Sequence, residues 1–367
     1  MTIARIETFP LRIPFARDTR APVDSLLVKV TTDDGCEGWG ESFGFEATPL
    51  ARRAIEELIA PLCLGQDATG VAPLMRAVQE KLLVFGRGGT LTHALSAVDT
   101  ALWDIAGKTA GVPLHRLLGD AAPGSDLPCY ASLDPYADSG LVRAGVRQAL
   151  DAGFGRLKLH ERELAEIRAA RDEAGPDAAI MLDVNCAWTP GQALERAGAL
   201  RETRLAWLEE PVWPPEDYDA LARLRRTCGI PLAAGENVHT LLDFDRLMAA
   251  GAVDYVQPSP AKMGGVTELC QVFPLAAARG VTVMPHTFYH GPGLLAAIQV
   301  TAALGTAASM IEWRFSDLEA RIYADALTPQ DGRIQLPQGP AGHRPRPRRA
   351  PRLPRAGLTG YRRRSSR

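Results

Sequence analysis

The chain has 367 residues, 46% hydrophobic and 23% charged, with a formal net charge of −2. This composition excludes a disordered protein and can bury the core of one barrel plus a smaller domain. Arg5, Glu7 and Arg12 interrupt residues 1–15, and the apolar stretch 294–310 is broken by Gln299, so neither a signal peptide nor a membrane-spanning helix is expected. Six cysteines (36, 63, 129, 186, 228, 270) contain no C-x-x-C pair, which argues against a zinc site or a disulfide framework and fits a reducing cytoplasm.

Residues 3–41 read as an antiparallel meander of three strands over 3–13, 25–32 and 36–41, with Asp33-Asp34-Gly35 as the hairpin turn between the last two. A polar loop bracketed by Pro14 and Pro22 joins the first two strands, as either a connector or a lid. From 48 to about 108 the apolar spacing becomes helical, as in Leu91, Leu95, Val98, Leu102 and Ile105, and Gly111-Val112-Pro113 stops the last helix. The α+β cap is therefore expected to span 1–120.

From Leu127 onward, short apolar runs alternate with helical stretches at roughly 25-residue spacing. The runs end near Ser132, His160, Asn185, Glu209, Glu236, Gln257, Pro285 and Trp313. Eight near-equal units favour a closed (β/α)8 TIM-type barrel over 121–320, with a doubly wound sheet as the competing layout. A strand signal at Arg333–Gln335 and Leu336 is expected to return the chain to the cap within 321–340. The stretch 341–367 carries ten arginines, interleaved prolines and no acidic residue, leaving about −12 on the rest of the chain. It is expected to be disordered.

Three carboxylates close apolar runs at nearly even intervals: Asp183, Glu209 and Glu236, separated by 26 and 27 residues. In a barrel the C-terminal strand tips carry the chemistry. Hard oxygen ligands converging there indicate a magnesium-type cation. By the period of two, Lys158 and His160 point the same way on strand two, while strand six ends in Gln257-Pro258-Ser259, strand seven at His286 and strand eight at Glu312. A single strand-end carboxylate is more often a cap or surface partner, but four facing one cavity without a cation would be costly. Lys158, depressed by burial and the cation, or His160 could remove a proton α to a substrate carboxylate, and His286 could act from the opposite side.

The chain resembles the enolase superfamily, in the group typified by mandelate racemase, from about residue 1 to 340. The motifs are Leu95 through Asp104 with Pro113-Leu114 and Leu117-Leu118-Gly119, then Lys158-x-His160, Asp183-x-Asn185, Glu209-Glu210-Pro211, Gly235-Glu236-Asn237 and Lys262-Met263-Gly264-Gly265-Val266. The resemblance implies Mg2+ ligation by Asp183, Glu209 and Glu236, with Lys or His bases and a metal-stabilised enolate. It implies that Lys158 is the first lysine of a strand-two K-x-K motif, His286 the strand-seven histidine and Glu312 the acid that hydrogen-bonds the substrate carboxylate. It also implies that loop 15–21, with Phe15 and Arg17, and the segment Phe43-Gly44-Phe45 select the substrate, with Asn185 and Ser259 as further substrate contacts.

Three departures mark this chain. His160 replaces the second lysine, Ser259 stands where an aspartate normally orients the histidine, and the Arg/Pro tail matches no part of the family. Ser259 adds no charge, which suits His286 to act as an acid and Lys158 as the base. The expected function is dehydration of a sugar acid, with a racemase, epimerase or lactone cycloisomerase as the alternative. The expected partners are a small-molecule carboxylate substrate and further copies of the chain in a homo-oligomer, with no membrane. Nucleic-acid binding through the tail is the remote alternative, because Tyr361 is its single aromatic.

Overall fold

The computed structural model describes residues 1–16, 22–119, 124 and 126–337. Arg17 and the stretch 341–367 lie outside them. Strands β1 (Ile3–Ile13), β2 (Val23–Thr32) and β3 (Glu37–Ser42) form the antiparallel cap sheet in the order β1-β2-β3. The turn between β2 and β3 closes through Thr32 and Cys36, with Gly35 at φ 84°. Leu26, Val28 and Val30 alternate onto one buried face and pack with Leu95, Val98, Leu102 and Ile105 of the helix Gly89–Ala110. That helix lies directly on β3: a Cβ at Gly38 or Gly40 would overlap the backbone carbonyls of Ala101 and Ala97. It ends at Gly111 in the left-handed conformation, the stop read from the sequence.

Eight parallel strands follow: β4 (Asp126–Leu133), β5 (Arg156–Leu159), β6 (Ala179–Asp183), β7 (Trp207–Glu209), β8 (Leu232–Ala234), β9 (Tyr255–Val256), β10 (Thr282–Val283) and β11 (Ile311–Phe315). Helices alternate with them, entered by side-chain caps where the sequence provides them, such as Asp138, Asp217 and the Thr189–Gln192 capping box. The curled sheet runs β10-β9-β8-β7-β6-β5-β4-β11, the α/β TIM-barrel-like architecture expected. Ladder pairing stops short of closure, since among the described residues none joins β10 to β11. Instead Thr287, just beyond β10, donates its backbone N–H to Glu312 Oε2 at 2.9 Å and its hydroxyl to the Glu312 carbonyl at 2.5 Å. Side-chain bonds therefore span the seam at the functional end. Inside, Tyr130, Met181, Trp207, Ala233 and Met284 form an apolar plug beneath the strand tips.

The C-terminal segment departs from the reading that its strand signal returns to the cap. Residues near Asp317 do meet the cap, with Phe15 bridging Leu318 and Ala16 N–H donating to the Asp317 carbonyl at 2.8 Å. The strand β12 (Arg333–Gln335) instead pairs antiparallel with Asp126, Leu127 and Pro128 of β4. The reason is an open edge: β11 and β5 pair with β4 only from Cys129 and Ala131 onward. The apolar stretch near 294–310 contributes the helix Pro292–Leu304, and no helix of the described residues is long and apolar enough to cross a membrane.

Cap and barrel are joined by buried polar contacts. Ser96 Oγ accepts from Gly264 N–H at 2.8 Å, and Asp99 accepts from Thr267 N–H at 3.0 Å and from the Thr267 hydroxyl. Gly265, at φ 83°, leaves no room for a Cβ against Asp99. Burial pushes the Asp99 carboxyl up from 3.8 to about 7, against the bonds from Thr267 and Val266. The folded state thus keeps a proton that the unfolded chain loses above about pH 4, so this stability is complete at low pH and lost as pH rises toward 7. Asp99→Asn keeps an acceptor oxygen and cannot ionise. It should melt close to wild type near pH 4 and above it by pH 7.5, by a few kcal/mol at most on the order of 1.4 kcal/mol per unit. A melting difference that stays constant across that range would refute this.

Candidate active site

Asp183 and Glu209 are the last residues of β6 and β7 and sit opposite each other in register. Glu236 follows two residues after β8, beyond Gly235 at φ 131°, where a Cβ would come within 3.0 Å of Gln257 N. The three carboxylates offer oxygens within 4.8 Å of one another. This set of hard donors, nearly removed from solvent, suits a divalent cation of the magnesium class.

Lys158 lies beneath them, fully buried, with Nζ 2.7 Å from Glu209 Oε1, 2.8 Å from Glu312 Oε1 and 3.4 Å from Asp183 Oδ2. Burial alone would depress the ammonium, but Glu209, Glu312 and Asp183 outweigh it and hold Lys158 well above its ordinary value. In the protein alone, three carboxylates crowd the same Nζ and oppose the depression that burial brings, whereas a cation held by those carboxylates would act in the opposite sense. Glu209 is itself pushed up, by burial first and then by Asp183 and Glu312, against the pull of Lys158. On the opposite side His286 Nε2 lies 2.8 Å from Glu236 Oε2, and Lys262 Nζ 3.6 Å from Glu236 Oε1. Burial raises Glu236, yet His286 and Lys262 bring it well below the carboxylate range. Four carboxyl groups (Asp183, Glu209, Glu236, Glu312) face Lys158, Lys262 and His286, and an oxygen-rich set of this kind suits a divalent cation.

His160 follows β5 directly. Its Nδ1 donates to the Leu133 carbonyl at 2.5 Å, which turns Nε2 toward Asp183 Oδ2 at 3.4 Å. Lys158 and His160 therefore do share a direction. Ser259 Oγ lies 3.3 Å from His286 Nδ1 and 3.1 Å from the Tyr289 hydroxyl, which donates to the His286 carbonyl at 2.9 Å. A serine and a tyrosine thus hold the histidine in the aspartate's stead.

The expected substrate contacts divide. Asn185 takes φ 48° and its backbone N–H donates to Asp183 Oδ1 at 2.8 Å, fixing a triad member. Phe45 packs edge-on against Phe43 and lines a cleft with Phe288 and Tyr289. Phe15 is buried against Leu318 and does not line that cleft, and Arg17 lies outside the described residues. Sequence reasoning did not select Lys262, Glu210 or Tyr289 for the site. Lys262 appears in a turn after β9, where strand alternation gives no direction; it donates to Asn237 Oδ1 at 2.9 Å and lies 4.7 Å from the Phe43 ring centroid. Glu210 faces away from its neighbour Glu209, accepts from Asn237 Nδ2 at 2.6 Å, and is raised to about 7 by burial and then by Glu236.

Residues 2–119 match the mandelate racemase / muconate lactonizing enzyme N-terminal domain, and residues 141–342 match the enolase C-terminal domain-like family. The chain is 29% identical to arabinonate dehydratase of Saccharolobus solfataricus over 329 residues, covering 87% of each chain. It is 33% identical to D-galactarolactone cycloisomerase of Agrobacterium fabrum over 302 residues, covering 78% of this chain and 76% of that one. A mandelate racemase/muconate lactonizing protein from Paracoccus denitrificans, solved in complex with magnesium, superposes with TM-score 0.83 at 30% identity over 93% of this chain and 94% of that one. The chain belongs to the mandelate racemase/muconate lactonizing enzyme family of the enolase superfamily.

If the carboxylate cluster holds a divalent cation, adding Mg2+ to chelator-treated protein should raise Tm by a few degrees, and Asp183→Asn and Glu236→Gln should abolish the rise. An equal rise in both variants would place the ion elsewhere.

Proposed function

We propose that this protein is a Mg2+-dependent lyase that dehydrates a sugar acid to a 2-keto-3-deoxy acid. The observation that carries the reading is the placement of two proton carriers on opposite sides of one carboxylate cluster: Lys158 against Asp183 and Glu209, and His286 against Glu236. A divalent cation held by Asp183, Glu209 and Glu236 would offset the negative charge that builds on the substrate carboxylate, and would take up carboxylate charge that otherwise keeps Lys158 protonated. Lys158 then takes the proton α to the carboxylate. His286, steadied by Ser259 and Tyr289, gives a proton to the β-hydroxyl as it leaves as water. Glu312, tied to Thr287 N–H and 2.8 Å from Lys158 Nζ, fixes the lysine at the edge of the cluster. His160, turned toward Asp183, assists on the Lys158 side.

Arabinonate dehydratase among the relatives supports this reaction class, and D-galactarolactone cycloisomerase supports the second reading, a cycloisomerase that uses the same first proton abstraction without losing water. A homo-oligomer is supported by the exposed apolar triplet Leu83, Val84 and Phe85, and a cytoplasmic location by six cysteines without a disulfide.

With Mg2+ and a panel of aldonic and aldaric acids, wild type should release 2-keto-3-deoxy products. Lys158→Ala should lose both dehydration and α-hydrogen exchange in D2O by at least about 10³-fold. His286→Asn should lose about 10²-fold or more in dehydration while α-exchange persists. Exchange accompanied by a product of unchanged mass would replace dehydration with cycloisomerisation or epimerisation.

A further inference from the structure

The three carboxylates of the triad are not served alike. Asp183 and Glu209 share Lys158, whereas Glu236 has His286 Nε2 2.8 Å from Oε2 and Lys262 Nζ 3.6 Å from Oε1. Lys158 and His286 carry protons in the proposed reaction. Lys262 has no part in that traffic, yet its charge stands beside a cation ligand.

One short turn after β9 sets both neighbours of Glu236. Ser259 Oγ lies 3.3 Å from His286 Nδ1, while the Ser259 carbonyl accepts from the Lys262 N–H at 2.9 Å. The Lys262 carbonyl in turn accepts from His239 Nδ1 at 3.2 Å. The side chain is held as closely as the backbone. Its Nζ donates to Asn237 Oδ1 at 2.9 Å. Because an ammonium only donates, this aims the Asn237 amide nitrogen at Glu210 Oε2, 2.6 Å away, and at Glu236 Oε1, 3.3 Å away. From the cap side, Nζ lies over the Phe43 ring, which Phe45 and His93 meet edge-on. Lys262 is 4% exposed, so its charge stays with these partners and is little screened by water.

The separation from Glu236 decides what that charge does. At 3.6 Å it is longer than an ordinary hydrogen bond and still close enough for a strong charge interaction away from bulk water. A fixed positive charge there acts in two ways on a divalent cation held by Glu236. It repels the incoming cation, and it takes up part of the carboxylate's charge. More of the cation's own field is then left for the negative charge that builds on the substrate.

We infer that Lys262 tunes the metal site through Glu236, lowering cation affinity while strengthening the stabilisation of the charge that develops when the α-proton leaves. This rests on the cation site and the α-proton abstraction described above.

Calorimetric titration of chelator-treated protein with Mg2+ and α-hydrogen exchange in D2O at saturating Mg2+ read the two effects separately. Lys262→Met removes the charge and keeps an unbranched stem. It should bind Mg2+ about 10-fold more tightly and exchange the α-hydrogen about 10-fold more slowly. Lys262→Gln keeps an N–H donor without the charge and should shift both quantities in the same directions. Weaker or unchanged Mg2+ binding in either variant would overturn the inference, because loss of a hydrogen-bonded support weakens metal binding. Wild-type values for Lys262→Gln would overturn it as well, by assigning the effect to the hydrogen bond and not to the charge. Wild-type binding and exchange without the opposed shifts in the variants removes only the Lys262 assignment. No Mg2+ uptake by wild type removes the cation site and this inference with it. Mg2+ uptake without exchange on any sugar acid removes the proposed reaction and the rate effect, and the direction of the affinity change then decides the remaining half.

Discussion

Three buried carboxylates and a fourth that is partly buried, gathered at one end of a barrel, form the constraint on which the rest of the structure depends. Asp183, Glu209, Glu236 and Glu312 could not share a low-dielectric layer without compensating charge. Lys158 supplies part of it from below, Lys262 and His286 part from the side of Glu236, and the clustered oxygens suit a divalent ion. The parallel register does the positioning, because Asp183 and Glu209 are lateral neighbours and Lys158 lies one strand away. The apolar plug of Tyr130, Met181 and Trp207 closes the layer from beneath, which strengthens every electrostatic interaction above it.

The cap completes this environment through joints made mostly of small residues and buried acids. Ser96 and Asp99 engage Gly264 and Thr267, while Glu41 accepts from Gly291 N–H at 2.9 Å and Gly293 N–H at 3.1 Å. Phe43 N–H donates to the Ala261 carbonyl at 3.2 Å, which sets the Phe43 ring beside Lys262. The same contacts that dock the cap therefore place the aromatic wall of the cleft and shield the lysine facing Glu236.

Much of this was legible along the chain. Period-two alternation placed Lys158 and His160 on one side, and the ends of apolar runs located Asp183 and Glu209 at strand tips. The alternation of βα units gave the eight-stranded sheet. Features that depend on partners distant in sequence were not legible. The motif around Ser96 and Asp99 and the motif at Gly264-Gly265 were separate in the sequence and proved to be two halves of one joint. The strand signal at Arg333–Gln335 was visible, but its partner was not, because the open edge of β4 exists only once β5 and β11 have paired.

The sequence by itself determined the class of chemistry, since residue type and strand period suffice to bring hard oxygen donors, a lysine and two histidines to one end of a barrel. Only the tertiary structure decided the state and setting of those groups. It brings three carboxylates to one Lys158 Nζ and steadies His286 with Ser259 and Tyr289. The physical reason is distance: protonation and hydrogen-bond direction depend on neighbours within a few ångströms in space, and local spacing along the chain does not encode them.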